Sequence, residues 1–210
     1  MWYWLLMGGL LLSMLLLMRL NKPKLFAASK LFILIALAYS LAPTLNSPQI
    51  APIWSMCALA FFALCYYVET FATRYKILQF LWFSMGCLFY SLSFWSQVQH
   101  LNWAVPIALF ALIVVIFFIL LPLLDSFVKH AAVVAIILWQ LLWASGQVWQ
   151  VSRSLLDLSG FLGTALLATS VLIWSIHHFK RPFKMSNDWT MLCYFGSHIL
   201  IIAPLVLASA

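Results

Sequence analysis

The chain has almost no acid. Asp and Glu together number 4 in 210 residues, and all charged residues make up only 7%. A typical soluble domain carries about 25%, so a water-facing globular fold is excluded. Alternating ten-residue strands are missing too, and the apolar segments run on continuously. That excludes a closed membrane β-barrel. Cysteine is scarce: Cys57, Cys65, Cys87 and Cys193 lie inside apolar runs, with no CxxC pair and no Cys/His spacing for zinc. Apolar packing is their simplest role, and they say little about redox compartment. No GxSxG elbow, HExxH helix or Walker loop occurs, so a nucleotide-driven pump has no support.

What remains is hydrophobic residue, 66% of the chain. At roughly 20 apolar residues per crossing, the runs predict eight helices, at 2–18, 26–43, 50–68, 77–97, 103–123, 131–149, 160–177 and 189–208. The connections are short. The expectation is an all-α, polytopic bundle forming a single integral membrane domain over 1–210. The first run has no basic start and no small-residue cleavage site before Arg19, so it reads as a retained helix and not as a signal peptide.

The net charge of +7 invites a nucleic-acid reading, but its distribution points to a membrane surface. Arg19, Lys22, Lys24, Arg74, Lys76, Lys129, Lys180, Arg181 and Lys184 fall in loops on one side, and only Arg153 on the other. The positive-inside rule then makes both termini non-cytoplasmic, and an even number of crossings agrees. The expected location is the bacterial inner membrane, with the basic loops against anionic headgroups. No nucleic-acid partner, metal or cofactor is implied.

Asn21-Lys22-Pro23, Asn46-Ser47-Pro48, His100-Leu101-Asn102 and Ser186-Asn187-Asp188 are turn formers at the boundaries. Trp2, Trp4, Trp54, Trp103, Trp149 and Trp189 near span ends fit an aromatic belt. A four-plus-four repeat is one reading of the small-residue steps Met85-Gly86-Cys87 and Phe195-Gly196-Ser197; chance is the other, since small residues are common in membrane helices.

Polar side chains inside lipid need a reason. Lys30, one turn into the second helix, shares a membrane depth with Glu69 at the end of the third and with His177 and His178 at the end of the seventh. A Lys30–Glu69 pair would lower the cost of both. The plainer alternative is that Lys30 snorkels and Glu69 is a loop residue. Deeper in, Ser84 and Ser91 share a face of the fourth helix, with Tyr90 and Gln97 alongside. Gln140 and Gln147 share a face of the sixth, Thr169 and Ser170 are mid-helix in the seventh, and Tyr194 and His198 lie one turn apart in the eighth. Interhelical hydrogen bonds, worth about 0.6 kcal/mol each, account for such residues without any chemistry. A mid-membrane histidine can also move protons. Convergence of Lys30, Glu69, Tyr90, Gln140, Tyr194 and His198 on one cavity would favour function over scaffolding.

The stretch from Phe161 to Ser170, then Trp174, the basic loop His178 to Phe183, and the run Cys193 to Ile201 resemble the YhhN family, lysoplasmalogenase-like membrane proteins of eight helices. Lys30, Glu69 and the Cys87-Leu88-Phe89-Tyr90 step extend the resemblance upstream. It implies a hydrolase of the vinyl ether bond of lysoplasmalogens, or of a related lysophospholipid, releasing a fatty aldehyde and a glycerophospho-alcohol. On that reading Glu69 is expected as the acid/base, with Tyr194 and His198 completing the catalytic set by orienting water or relaying a proton; Lys30, which holds Glu69 ionised or contacts the phosphate, Tyr90, Gln140, Gln147 and Ser170 are the expected substrate-binding residues. The chain departs from the family pattern where Val68-Glu69 replaces Gly-Asp and Ser170-Val171 replaces Ser-Asp, so a second carboxylate is missing. Three outcomes stay open: His198 or Tyr194 supplies the second group, the lysolipid differs, or the protein binds or transports lipid without hydrolysis.

Overall fold

The computed structural model describes residues 2–20, 23–46, 48–71, 76–98, 100–120, 128–179 and 185–208. Among these residues eight α-helices follow one another: α1 (Trp2–Arg19), α2 (Pro23–Leu41), α3 (Ala51–Phe71), α4 (Lys76–Trp95), α5 (Ala104–Leu120), α6 (Val128–Ser152), α7 (Leu155–Phe179) and α8 (Ser186–Leu207). A 3-10 turn, Ala42–Asn46, follows α2. Six helices, α2, α3, α4, α6, α7 and α8, are long and apolar enough to cross a membrane, and α1 and α5 are shorter apolar helices. The chain is a membrane protein with an all-helical fold, as its composition requires.

Several helices begin or end beyond the expected limits. α3 runs on to Phe71, so Glu69 is a helical residue and not a loop residue. α6 begins at Val128, which turns His130 from a loop position into part of its first turn. α7 begins at Leu155, just after Arg153 takes the left-handed conformation (φ 54°). Ser154 then caps the helix: its hydroxyl accepts from the Asp157 N–H at 3.0 Å and donates to the Asp157 carboxylate at 2.8 Å. Lys22, Arg74, Lys180, Arg181 and Lys184, and the side chains of Lys24 and Lys76, lie outside the described residues.

The tightest helix pairs are α7 with α8 and α3 with α4, bridged by α6, while α1 and α2 pack on α3 and α8. Close approach depends on small residues. A Cβ on Gly163 would lie 2.9 Å from the Ile201 backbone nitrogen of α8, and one on Gly86 would lie 2.8 Å from the Phe62 ring of α3. Gly196 meets nothing within 4 Å, so the two small-residue steps proposed as a repeat are not equivalent in packing. Buried hydroxyls join helices as well: Ser145 to Thr164 at 2.8 Å and Ser55 to Ser93 at 2.9 Å.

Candidate functional site

At one end of the bundle α3 and α7 finish, α4, α6 and α8 begin, and a cavity of about 420 Å³ opens between them. Cys65, Tyr66 and Glu69 form the α3 wall, and Gln79, Phe80 and Phe83 the α4 wall. α6 contributes His130 and Val134; α7 contributes Ser170, Val171, Trp174 and His178; α8 contributes Thr190, Met191 and Tyr194. The volume falls within the 300–1,000 Å³ usual for small-molecule sites. Glu69 is the one carboxylate on this wall among the described residues.

Lys30 and Glu69 do pair. The Lys30 ammonium is 3.8 Å from Glu69 Oε1, and lies over the faces of Phe26 (4.8 Å) and Tyr66 (4.9 Å). Lys30 is only 8% exposed. A carboxylate and two ring faces replace the water it gave up, which is how such a charge is tolerated in the apolar phase. The ammonium is not on the cavity wall, so Lys30 meets the cavity through Glu69.

Tyr194 reaches the wall, and its ring is edge-on to Tyr66 at 5.6 Å. His198, one turn deeper in α8, is fully buried. It packs 4.6 Å from the Tyr194 ring and 4.5 Å from Phe62, and its Nδ1 is 3.0 Å from the Tyr90 hydroxyl. Neither His198 nor Tyr90 reaches the cavity. They form a layer behind Tyr194, with Phe62 packed into the gap that Gly86 leaves. Ser170 does line the cavity, while its hydroxyl donates back to the Leu167 carbonyl at 2.7 Å.

The two glutamines are elsewhere. Gln147 is buried toward the opposite end, where its amide accepts from the Asn102 N–H at 3.0 Å and donates to the Asn102 carbonyl. Both ends of that amide are occupied in holding the approach to α5. Gln140, on the same helix, does not line the cavity either. Of the six residues expected to converge, Glu69 and Tyr194 are on the wall, Lys30, His198 and Tyr90 lie behind them, and Gln140 does not line the cavity; Ser170 is on the wall as well.

His130, Gln79 and Thr190 are wall residues that inspection of the sequence passed over. For His130 a signal existed. Val134 and Leu138 follow it at four-residue steps and are buried, so a helix started earlier would have put all three on one inward face. His178, read as interfacial, stacks flat on Trp174 at 5.2 Å at the cavity edge. Among the described residues no group of three His, Cys, Asp or Glu side chains is placed to hold a metal ion.

Comparison with known proteins agrees with this architecture. Proteins described as "Uncharacterized membrane protein YhhN" from Escherichia coli O6:H1, Escherichia coli O157:H7 and Shigella flexneri are each 28% identical to the chain over 126 residues. The match covers 60% of this chain and 61% of each relative, so the chain spans less than two thirds of their length. No solved structure matches. The YhhN family model matches residues 26–205, which takes in Lys30, Glu69 and every described wall of the cavity, and the chain belongs to the YhhN family.

Proposed function

We propose that the protein is a lysolipid hydrolase of the bacterial inner membrane, cleaving the vinyl ether bond of a lysoplasmalogen. The observation that carries the reading is a single carboxylate, Glu69, set in a largely apolar cavity at the helix ends and held by a buried lysine. Vinyl ether hydrolysis needs a proton delivered to the outer vinyl carbon, stabilisation of the resulting oxocarbenium ion, and activation of water. In its acid form Glu69 gives the proton. As carboxylate it then stabilises the cation and takes a proton from the attacking water. The hemiacetal collapses to a fatty aldehyde and a glycerophospho-alcohol, one water being consumed. Tyr194 orients the water from the α8 wall, and His198, acting through Tyr194, is a positioning residue. Ser170 and His130 offer polar contacts to the substrate.

A second reading, binding or transport of a lysolipid without hydrolysis, is favoured by one specific residue. Val171 lines the same cavity as Glu69, at the position where the family resemblance implies a second carboxylate. Product analysis separates the two. Purified protein in detergent is incubated with a lysoplasmalogen or with its acyl lysophospholipid counterpart, with Glu69→Gln alongside. The hydrolase reading expects aldehyde from the vinyl ether lipid alone, lost in Glu69→Gln. No product from folded protein, with saturable binding, would transfer the assignment to the second reading.

A further inference from the structure

A second cavity, about 440 Å³, lies between α5, α6 and α7. Its lining is apolar apart from Thr169 and Ser175. It shares Phe80, Val134, Val171 and Trp174 with the Glu69 cavity, so one neck of four side chains borders both. We propose that this groove is the seat of a single hydrocarbon chain, belonging to an amphiphile whose polar end occupies the Glu69 cavity.

Three observations select that occupant. The first is polarity: Glu69, Gln79, His130 and Thr190 are all on the first cavity, at the helix ends, and the groove runs from there along α6 and α7 toward the opposite end. The second is length. Along α7 the groove extends from Trp174 to Phe161, and along α6 from Ala131 to Leu142. At about 1.5 Å per residue these are ~20 and ~16 Å, close to the ~15 Å of one leaflet, half of a ~30 Å hydrocarbon core. The third is capacity. At about 440 Å³ the groove lies in the lower part of the 300–1,000 Å³ usual for a site that takes one small-molecule occupant.

The groove also has a side entrance. α5 packs chiefly against α6, and Leu112 on its groove edge is more than half exposed. A chain already in the leaflet can slide between α5 and α7 without leaving apolar surroundings. Val171 then has a physical role: an aliphatic side chain where head and tail meet, in a place where a carboxylate would be in contact with hydrocarbon.

The polar end of this proposal rests on the lysolipid reading; the chain seat does not depend on turnover. The test is photo-crosslinking of the intact protein in detergent. The probe is a long-chain lysophospholipid with a diazirine at the chain terminus, and adducts are mapped by mass spectrometry. Expected are adducts on Leu109, Leu142, Phe161 and Ala165, at the end of the groove away from the neck, removed by excess unlabelled long-chain lysophospholipid and spared by a diacyl phospholipid. Ala168→Trp, which fills the groove, should reduce long-chain binding at least tenfold while a short-chain lysophospholipid still binds. Adducts spread over the outward faces of α1 and α2, or groove adducts that no lysophospholipid displaces, would overturn the seat. If Ala168→Trp fails to fold, the adduct map on the native protein decides. Displaceable groove labelling without aldehyde release would reject the hydrolase and keep the seat; aldehyde release without groove labelling would do the reverse.

Discussion

Lys30 shows how one residue can be tied to function through another. Its ammonium touches Glu69 and two ring faces, and does not reach the cavity. Under the hydrolase reading it acts on the placement of Glu69, and not on the substrate phosphate. Lys30→Met keeps the apolar stem and removes the charge. We expect kcat to fall about 10²-fold, the lower end of what a general acid–base group supplies, with KM nearly unchanged and partial recovery in Lys30→Arg. A rise in KM at constant kcat would identify Lys30 as a phosphate contact instead. This pair was one of two readings open in the sequence, because opposite charges at one helix-end depth relieve each other's cost, and the continuation of α3 through Glu69 decides for it. His130 was not legible there, because beside Lys129 it looked like loop. Nor was the difference between Tyr194 and His198. Their four-residue spacing puts both on one face, but only the neighbouring Phe62 and Tyr90 decide that one meets the cavity and the other is sealed behind it.

Among the elements, the α7–α8 pair sets the shape of the site, since α7 carries Ser170, Val171 and Trp174, and α8 carries Tyr194. Gly163 allows the two backbones to approach: an added Cβ would lie 2.9 Å from Ile201 N and 2.9 Å from Leu200 Cβ. Backbone cannot rotate away as a side-chain tip can. Gly163→Ala should therefore cost about 1–3 kcal/mol, the usual range for overpacking, read as a lower thermal midpoint in detergent. Gly9→Ala is the control, because nothing lies within 4 Å of that position. Equal midpoints for the two variants would mean that α7 and α8 separate easily. Helix number and order were readable from the runs of apolar residues. Helix partners were not, because in lipid every helix is apolar all round and the sequence gives no inward stripe to follow.

For the whole molecule the two ends differ. One end has the Glu69 cavity, the Lys30 pair and an Arg19–Asp188 contact at 4.0 Å. The other has a cluster of indoles, with Trp143 within 5.0–5.5 Å of Trp95, Trp103 and Trp139. Under the hydrolase reading, which end faces the cytoplasm decides which leaflet supplies the substrate. Most of the basic side chains that argue for orientation lie outside the described residues, so the sequence carries most of that signal. From the positive-inside rule we propose that the Glu69 end faces the cytoplasm. Leu20, after α1, and Ser152, closing α6, are exposed at opposite ends. With the four native cysteines replaced, Leu20→Cys should react with a membrane-impermeant maleimide only in inside-out vesicles. Ser152→Cys should react only in right-side-out vesicles. The reverse pattern would open the cavity to the outer leaflet. Under the hydrolase reading, lysolipid would then be taken from that leaflet and the aldehyde released on that side.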